Sequence, residues 1–330
     1  METLIRRLVE AYGPSGFEVD TRTLIEEEVG DYVDKVRVDA MGNLIVHKSG
    51  DGTGMKVMIA AHMDEIGVMV THVTEKGFLR FTNIGGLRRQ TLMGARVIFS
   101  SGLQGVIYSE KLESIKQVHP LQKHYIDVGA TGRDDCPVEV GMAAGFSRDF
   151  VTRGGHYISK SMDDRIGCAV AIESLKRLTS TPHELYFVFS VQEEVGTRGA
   201  EAAANALAPD VGIAVDVTMA GDTPGAPIMA VELGDGPAIK VKDSGMISHA
   251  GLVQHMRKTA DEAGIPYQLE VLEGGSTDAR PMQIAGAGCA AGCLSIPCRY
   301  VHSQSETVDV EDVENSVKLL TEMLSKPIVL

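Results

Sequence analysis

Histidine and carboxylate side chains recur in this sequence directly after short apolar segments. His62 and Asp64 follow an apolar segment at 56–61, and Glu193 and Glu194 follow a second one. Imidazole nitrogen and carboxylate oxygen atoms are ligands of catalytic divalent metal ions, and a carboxylate beside them can move protons. These residue types therefore indicate a metal site or an acid–base site. A buried structural histidine and a solvated strand end are the plainer alternatives for each pair taken alone.

The apolar segments are typical of buried β-strands. A short apolar run without helical spacing, as at 56–61 and 185–191, predicts a strand inside an α/β sheet. Neighbouring side chains on a strand point to opposite faces, so Glu193 and Glu194 can serve one site only where the strand passes into a loop, which Gly196 favours. In an open α/β sheet, ligands bind beyond the carboxyl ends of the strands. We therefore expect the two pairs to meet at one edge of the sheet.

Further residues of the same types follow this arrangement. Asp216 comes after the apolar residues 211–215, and His302 stands just past another predicted strand. Asp163 or Asp164, at the start of a predicted helix, caps that helix, and the helix dipole would also keep Asp163 ionised and able to bind a metal ion. The two interpretations are compatible.

The periodicity of the chain predicts an α/β protein with an inserted β-rich part. Helical apolar spacing alternates with short apolar strands in residues 1–70 and 155–330, and Asp309 is expected to cap the last helix. In residues 71–154 the helical spacing disappears, and short β-rich segments alternate with glycine turns. We therefore expect a discontinuous α/β domain with a central mixed, parallel-rich sheet flanked by helices, interrupted by a small β-rich domain.

The composition restricts the classes of function. The chain carries a net charge of −14 without a basic stripe, which argues against nucleic-acid binding and suits metal cations or substrates with a positive amine. Five cysteines without Cys-x-x-Cys spacing predict neither disulfides nor a thiolate zinc site. No apolar run reaches the length of a membrane span, and Glu2 and Glu10 stand where a signal peptide needs an apolar core. A cytoplasmic location without a membrane partner is expected.

Five motifs together resemble the M42 family of metalloaminopeptidases. They are Ala-His-Met-Asp-Glu-Ile-Gly at 61–67, Met-Asp-Asp-Arg at 162–165, Gln-Glu-Glu-Val-Gly-Thr-Arg-Gly-Ala at 192–200, Val-Asp-Val-Thr at 215–218 and Arg-Tyr-Val-His at 299–302. The resemblance runs from the first predicted helix to the last in the family's order. It implies a cytoplasmic enzyme that removes residues from peptides with a free amino terminus. Many members assemble as tetrahedral dodecamers, so a homo-oligomer built from dimers is expected, with the inserted segment as the dimerisation domain.

The resemblance also implies a set of metal ligands. Asp163 would bridge two divalent metal ions, zinc or cobalt, and no other cofactor is expected. His62 and Asp216 would complete the coordination of one ion, and Glu194 and His302 that of the other. Three protein ligands for each ion, one of them shared, leave open positions, which is typical of a catalytic site rather than a structural one.

Two carboxylates complete the implied mechanism. Glu193 would be the general base, which takes a proton from the metal-bridging water and passes it to the leaving amine, and Asp64 would support His62. The metal-bridging hydroxide formed in this way would attack the scissile carbonyl. The chain departs from the family's pattern at Ser276, where glycine is more often expected, and this change affects the side-chain preference or nothing at all.

Two alternatives stay open. A dinuclear metal deacylase or a carboxypeptidase would use the same chemistry, and a glycan-related protein or a non-catalytic scaffold represents a different class. The complete set of candidate ligands together with Glu193 argues against a scaffold. The absence of tryptophan and an aromatic content of only 5% argue against a sugar site, which commonly uses aromatic platforms.

Overall fold

The helices and strands are numbered in chain order through residues 1–111 and 118–330, which the computed structural model describes. The α-helices are α1 (Glu2–Glu10), α2 (Val19–Val29), α3 (Met162–Arg177), α4 (Arg198–Leu207), α5 (Ala250–Ala263), α6 (Ala279–Ile284) and α7 (Val310–Ser325). The strands are β1 (Lys35–Val38), β2 (Leu44–Lys48), β3 (Lys56–His62), β4 (Gly67–Val73), β5 (Leu79–Ile84), β6 (Arg96–Phe99), β7 (Gln104–Ser109), β8 (His124–Asp127), β9 (Ala143–Phe146), β10 (Val151–Arg153), β11 (His156–Ser159), β12 (Glu184–Ser190), β13 (Val211–Met219), β14 (Ala238–Lys242), β15 (Gln268–Val271), β16 (Ala290–Arg299) and β17 (Glu306–Asp309). Among the described helices, none combines the length and the apolar character that crossing a membrane requires.

One 11-stranded sheet carries the helices. Its strand order is β1-β2-β12-β3-β13-β16-β17-β11-β10, and β14 and β15 are attached beside β16. The central neighbours β12, β3, β13 and β16 run parallel. The pairs toward the two edges of this order are antiparallel. The predicted α/β class with a mixed sheet is confirmed, and the parallel strands form its centre.

Helices cover both faces of the central strands. Because neighbouring side chains on a strand point to opposite faces, Val57, Ile59 and Ala61 of β3 pack in the core that includes α1, α3 and α7. Met58 and Ala60 pack on the other side, in the core with α4 and α6. A strand covered on both faces is apolar throughout, which explains the unbroken apolar run of β3. Polar residues on this strand are therefore confined to its ends.

Six strands of the inserted segment form a closed β-barrel. Its strand order is β4-β5-β8-β7-β6-β9, and Val68, Phe81, Val97, Ile107 and Phe146 belong to its own apolar core. Closure leaves no unpaired sheet edge. The barrel strands begin at β4 and end with β9, and β10 already belongs to the large sheet. The domain boundaries at 71 and 154 and the dimerisation role stay predictions.

Strand β13 is longer than the sequence predicts. Its first part pairs on both sides, with β3 up to Ala214 and with β16, but the strand continues to Met219 beside β16 alone. Asp216 therefore lies within β13, beyond the last residue that pairs with β3, and not at the end of the strand. Strand β17, which has only four residues, is also not predicted by the sequence pattern.

Candidate metal centre

The predicted site residues meet at one edge of the parallel strands. His62 ends β3, the loop after β12 carries Glu193 and Glu194, and the part of β13 that no longer pairs with β3 carries Asp216. A cavity of about 510 Å³ opens at this edge. Six of the seven predicted residues line it, namely His62, Asp163, Glu193, Glu194, Asp216 and His302. The seventh, Asp64, is fully buried behind them.

Asp163 lies between two histidines. Its Oδ1 is 3.0 Å from His62 Nε2, and its Oδ2 is 3.3 Å from His302 Nε2. A second carboxylate accompanies each histidine: Asp216 Oδ1 is 3.9 Å from His62 Nε2, and Glu194 Oε2 is 3.3 Å from His302 Nε2. The five predicted ligands are thus arranged as two neighbouring groups that share one carboxylate.

Asp164 lies close to the same histidine, although the sequence reasoning gave it no role beyond a possible cap. Its ligand atoms group with those of His62 and Asp216, whereas Asp163 groups with Glu194 and His302. The Asp164 carboxylate already accepts hydrogen bonds from the backbone N–H of Gly167 at 3.1 Å and of His62 at 3.2 Å. It does not line the cavity. Asp164 therefore has the bonding of a helix cap, while Asp163 faces the open space.

Asp64 contacts His62 and also binds the backbone of the loop that follows β12. Its Oδ1 is 3.5 Å from His62 Nδ1, and the same oxygen accepts a hydrogen bond from the backbone N–H of Glu193 at 2.9 Å. Its Oδ2 accepts from the backbone N–H of Glu194 at 3.2 Å and from Ser15 Oγ at 2.6 Å. One buried carboxylate thus fixes the loop that carries both glutamates.

Glu65, the next residue in the same motif, was missed by the sequence reasoning. It is 1% exposed and accepts hydrogen bonds from Lys160 Nζ at 2.6 Å, from the backbone N–H of Gly13 at 3.1 Å and from Ser161 Oγ. Lys160 and Ser161 directly precede α3, and Glu65 follows β3. This buried ion pair therefore ties the end of β3 to the start of α3, so that His62 and Asp163 stay side by side.

Three carboxyl groups at the cavity, those of Glu193, Glu194 and Asp216, resist ionisation, whereas the two histidines outweigh the burial of Asp163 and hold its pKa below its ordinary value. Burial, followed by the neighbouring carboxylates, raises the pKa of Glu193 well above its ordinary value and raises the pKa of Glu194. Burial and the nearby Asp163 raise the pKa of Asp216 to about 8. Burial makes the charged forms costly and the neighbouring carboxylates add repulsion, so a nearby cation would favour ionisation of all three groups.

The two histidines at the cavity, in contrast, favour their charged form. Burial disfavours protonation of His302, but Asp163 and Glu194 outweigh it and raise its pKa to about 12. Burial likewise opposes protonation of His62, yet Asp163 and Asp64 hold its pKa well above the ordinary value. The two imidazoles therefore act as the local cations of a centre that is rich in negative charge.

In the part of the chain that the structure describes, one carboxylate at the cavity has an oxygen atom without a hydrogen-bond partner, which could bind a metal cation. Among the described residues, Glu194 Oε1 is buried without a hydrogen-bond partner. Lys240 lines the cavity wall but forms an ion pair with Glu270 at 2.6 Å. Arg88 and Arg280 also line the wall, and within residues 1–111 and 118–330 neither forms an ion pair with the cavity carboxylates. Imidazole and carboxylate donors suit divalent transition-metal ions. The residues present therefore fit a metal centre.

Two smaller predictions can be compared with the structure. Ser276 lines the cavity, and its Oγ lies 3.4 Å from Asp243 Oδ1, so the departure from glycine adds a hydroxyl group to the wall. Asp309 caps α7, as predicted, because its carboxylate accepts hydrogen bonds from the backbone N–H groups of Glu311 and Asp312.

Comparisons with known proteins point to one family. The model of the family described as M42 glutamyl aminopeptidase matches residues 42–319. A putative aminopeptidase of Acetivibrio thermocellus is 47% identical over 327 residues, which cover 98% of each chain. Aminopeptidase APDkam598 from the archaeon Desulfurococcus kamchatkensis superposes with a TM-score of 0.95 at 38% identity, over 98% of this chain and 94% of that chain. The Pyrococcus horikoshii TET1 peptidase, described as able to assemble into a tetrahedron or a large octahedral shell, superposes with a TM-score of 0.88 at 33% identity, over 98% of this chain and 99% of that chain. The chain therefore belongs to the M42 family and is an aminopeptidase.

Proposed function

We propose that this aminopeptidase uses two divalent metal ions, zinc or cobalt, to remove the first residue from short peptides. The observation that carries the proposal is the position of Asp163, whose two oxygens face His62 at 3.0 Å and His302 at 3.3 Å. A carboxylate between two imidazoles, each with a further carboxylate beside it, matches the ligand types and the sharing that a two-metal hydrolase needs.

The residues divide into two ligand sets. His62 and Asp216 would hold one ion, Glu194 and His302 would hold the other, and Asp163 would serve both. Asp163 is a better candidate than Asp164 because it lines the cavity, whereas the Asp164 carboxylate is engaged by two backbone N–H groups. When bound, the ions would polarise the scissile carbonyl and lower the pKa of a water molecule.

Glu193 is the candidate general base. It lines the cavity with its Oε2 4.0 Å from His62 Nε2, and it belongs to neither group of ligand atoms. Its carboxylate would accept a proton from the attacking water and deliver that proton to the departing amine. The pKa of Glu193 is raised by burial and by neighbouring carboxylates, so it should fall when cations neutralise those neighbours. Asp64 holds the backbone of Glu193 and thereby the position of the base.

The proposed site would hold the amino terminus of the substrate. The free amine would be positioned at the metal ions or by one of the four carboxylates that line the cavity. Peptides with a free amino terminus are therefore the expected substrates, and a blocked amino terminus would lose this contact.

Assembly into a homo-oligomer is part of the proposal. The similarity to the TET1 peptidase of Pyrococcus horikoshii over nearly the full length of both chains supports a closed shell. The form proposed for this chain is a tetrahedral dodecamer built from dimers. The closed barrel is a separate unit with its own core, which suits a role in pairing subunits.

A substrate panel with controlled metal content tests the function. Metal-free protein, prepared with a chelator, is reloaded with zinc, cobalt or manganese and assayed on aminoacyl anilides, on their N-acetyl counterparts and on peptides that report carboxypeptidase activity. We expect turnover of the free aminoacyl compounds only, and only in reloaded protein. Preferred cleavage of N-acetyl compounds or of the carboxyl end would replace this proposal by the deacylase or the carboxypeptidase.

A further inference from the structure

A second buried carboxylate, Glu306, binds the backbone of two candidate ligands at once. Its Oε2 accepts a hydrogen bond from the backbone N–H of Asp163 at 3.0 Å, and its Oε1 accepts one from the backbone N–H of His302 at 2.8 Å. Glu306 is 1% exposed. Both of its oxygens are thus engaged in joining two residues that lie far apart in the sequence.

The two residues that it joins lie on irregular backbone. Asp163 has φ −77° and ψ 105°, outside the helical region, although it stands in the first turn of α3. His302 has a φ of +62°, in the left-handed region that a side chain with a Cβ adopts only when the surroundings impose it. Neither residue belongs to a β-ladder that would pair its N–H group. Without Glu306, both buried N–H groups would lose their acceptor.

Glu306 itself stands on regular structure. It is the first residue of β17, and it pairs with Ser159 of β11 within the large sheet. It does not line the cavity and so does not touch the substrate. Asp64 uses the same bonding on the other side of the centre, where its carboxylate holds the backbone N–H groups of Glu193 and Glu194.

We propose that Glu306 is a positioning residue that assembles the metal group formed by Asp163, Glu194 and His302, two of whose members it holds by their backbone. The inference rests on the proposed function, because it needs these residues to bind metal. Partners that orient metal ligands typically change metal affinity by about 10- to 100-fold when they are removed. Of the other ligand set, His62, Asp216 and the shared Asp163, Glu306 binds only the backbone of Asp163. The metal affinity of that set should therefore change less.

The substitution Glu306→Gln tests the proposal. Glutamine keeps the shape, but its amide nitrogen cannot accept a hydrogen bond, so one of the two N–H groups loses its partner. Metal-free protein is titrated with Co²⁺ and followed by calorimetry and by visible absorption, which reports the geometry around cobalt. We expect two binding events in the unchanged protein, and in Glu306→Gln one event weakened by about 10- to 100-fold with an altered spectrum.

Asp309→Asn is the matched control. Asp309 lies three residues further along, and its carboxylate also accepts hydrogen bonds from two backbone N–H groups, at the start of α7 and away from the cavity. Asparagine caps a helix about as well as aspartate, so Asp309→Asn makes the same carboxylate-to-amide change without loss of the cap and should leave the Tm and both cobalt-binding events nearly unchanged. A second test variant, Glu306→Asp, keeps the charge on a side chain that is too short to reach both N–H groups, and it should weaken the same event.

The outcomes separate this inference from the proposed function. Asp163→Asn should weaken cobalt binding whether or not Glu306 matters, because it changes a ligand directly. If Asp163→Asn has no effect on binding, the proposed metal site is wrong. If Asp163→Asn weakens binding but both Glu306 variants bind cobalt like the unchanged protein, or if metal-free Glu306 variants have lost their fold, the positioning role is wrong.

Discussion

The substitution Glu193→Gln gives the sharpest test of the proposed roles of the two adjacent glutamates. Glutamine has the shape of glutamate and leaves the backbone N–H of residue 193 free to donate to Asp64 Oδ1, as it does at 2.9 Å now. The change removes only the carboxylate that would accept the proton. Because Glu193 belongs to neither group of ligand atoms, both metal ions should stay bound.

The expected loss of rate follows from the surroundings of Glu193. Removal of a general base typically lowers kcat by about 10²- to 10⁴-fold, which is about 2.7–5.4 kcal/mol in the activation free energy. The other cavity carboxylates belong to the two proposed ligand sets. The nearby Asp278 is buried and bound by Ser190 Oγ, and it does not line the cavity. With no substitute base among the described residues, we expect a loss in the upper half of this range.

The neighbouring substitution Glu194→Gln is the matched comparison. Glu194 Oε2 lies 3.3 Å from His302 Nε2, within the second group of candidate ligands. An amide is a neutral and poorer ligand, so this variant should bind one ion more weakly, and excess metal should restore part of its rate. Excess metal should not restore Glu193→Gln.

Two measurements decide between these outcomes. Metal content is determined by mass spectrometry, and steady-state rates on an aminoacyl anilide are measured at increasing metal concentration. The opposite pattern of rescue would mean that the two roles are reversed. Near-normal turnover in Glu193→Gln would remove this residue from the mechanism.

Further predictions concern the metals, the assembly and the pH. Chelation should abolish turnover, and back-titration should restore it in two steps because one ion is held less tightly; full activity of metal-free protein would contradict this. The barrel should pair subunits, so light scattering should show an oligomer, whereas a monomer at micromolar concentration that is fully active on long peptides would refute the assembly. In metal-free protein the pKa of Asp216 is about 8 and that of His302 is about 12, so both side chains hold a proton at neutral pH. Metal binding should therefore release protons, and it should weaken as the pH falls. Calorimetry in buffers of different ionisation enthalpy measures this proton release. The hydrogen-bonded ion pair with Arg299 lowers the pKa of Asp222 in the folded protein. The pair therefore stabilises the fold at pH values above the pKa of an unfolded aspartate, about 3.9. This stabilisation disappears as the pH falls through the lower pKa that Asp222 has in the folded protein. Asp222→Asn should therefore reduce the free energy of unfolding by about 1 kcal/mol at pH 7, as measured by denaturant titration, and a difference that persisted at pH 2 would contradict this origin.

The elements that carry the centre could be predicted because their own residues determine them. Strands β3 and β12 are covered on both faces, so their sequences are apolar between their polar end residues. Helix α1 buries Leu4, Ile5, Leu8 and Val9 at helical spacing. Strands β10 and β17 have only three or four residues, and they form by pairing with strands that lie far away in the sequence or by a hairpin with β11. A short strand whose partner supplies its stability leaves little pattern in its own residues.

The position of Asp216 shows how a partner strand decides what a local pattern cannot. The apolar run of β13 stops before Asp216, which predicts the end of a strand. The strand nevertheless continues because β16 pairs with it as far as Met219. Since β3 no longer pairs with β13 beyond Ala214, Asp216 can lie within a strand and still face the cavity. The prediction placed Asp216 at the edge of the sheet where the cavity opens, for a reason that was only partly correct.

The backbone contacts that hold the candidate ligands were harder to predict than the candidate ligands themselves. The candidate ligands are indicated by their type and by their position after apolar strands. Asp64 was predicted only as a support for His62 and Glu306 was not singled out, because both act through backbone N–H groups that no sequence pattern displays. Each of them holds residues in loops or at irregular backbone, where the N–H groups have no ladder partner. A buried N–H group must find an acceptor, and one carboxylate can satisfy two of them while it fixes the distance between their side chains. Asp64 and Glu306 do this for the candidate centre, and this role explains why buried acidic residues stand beside the cavity in addition to the candidate ligands.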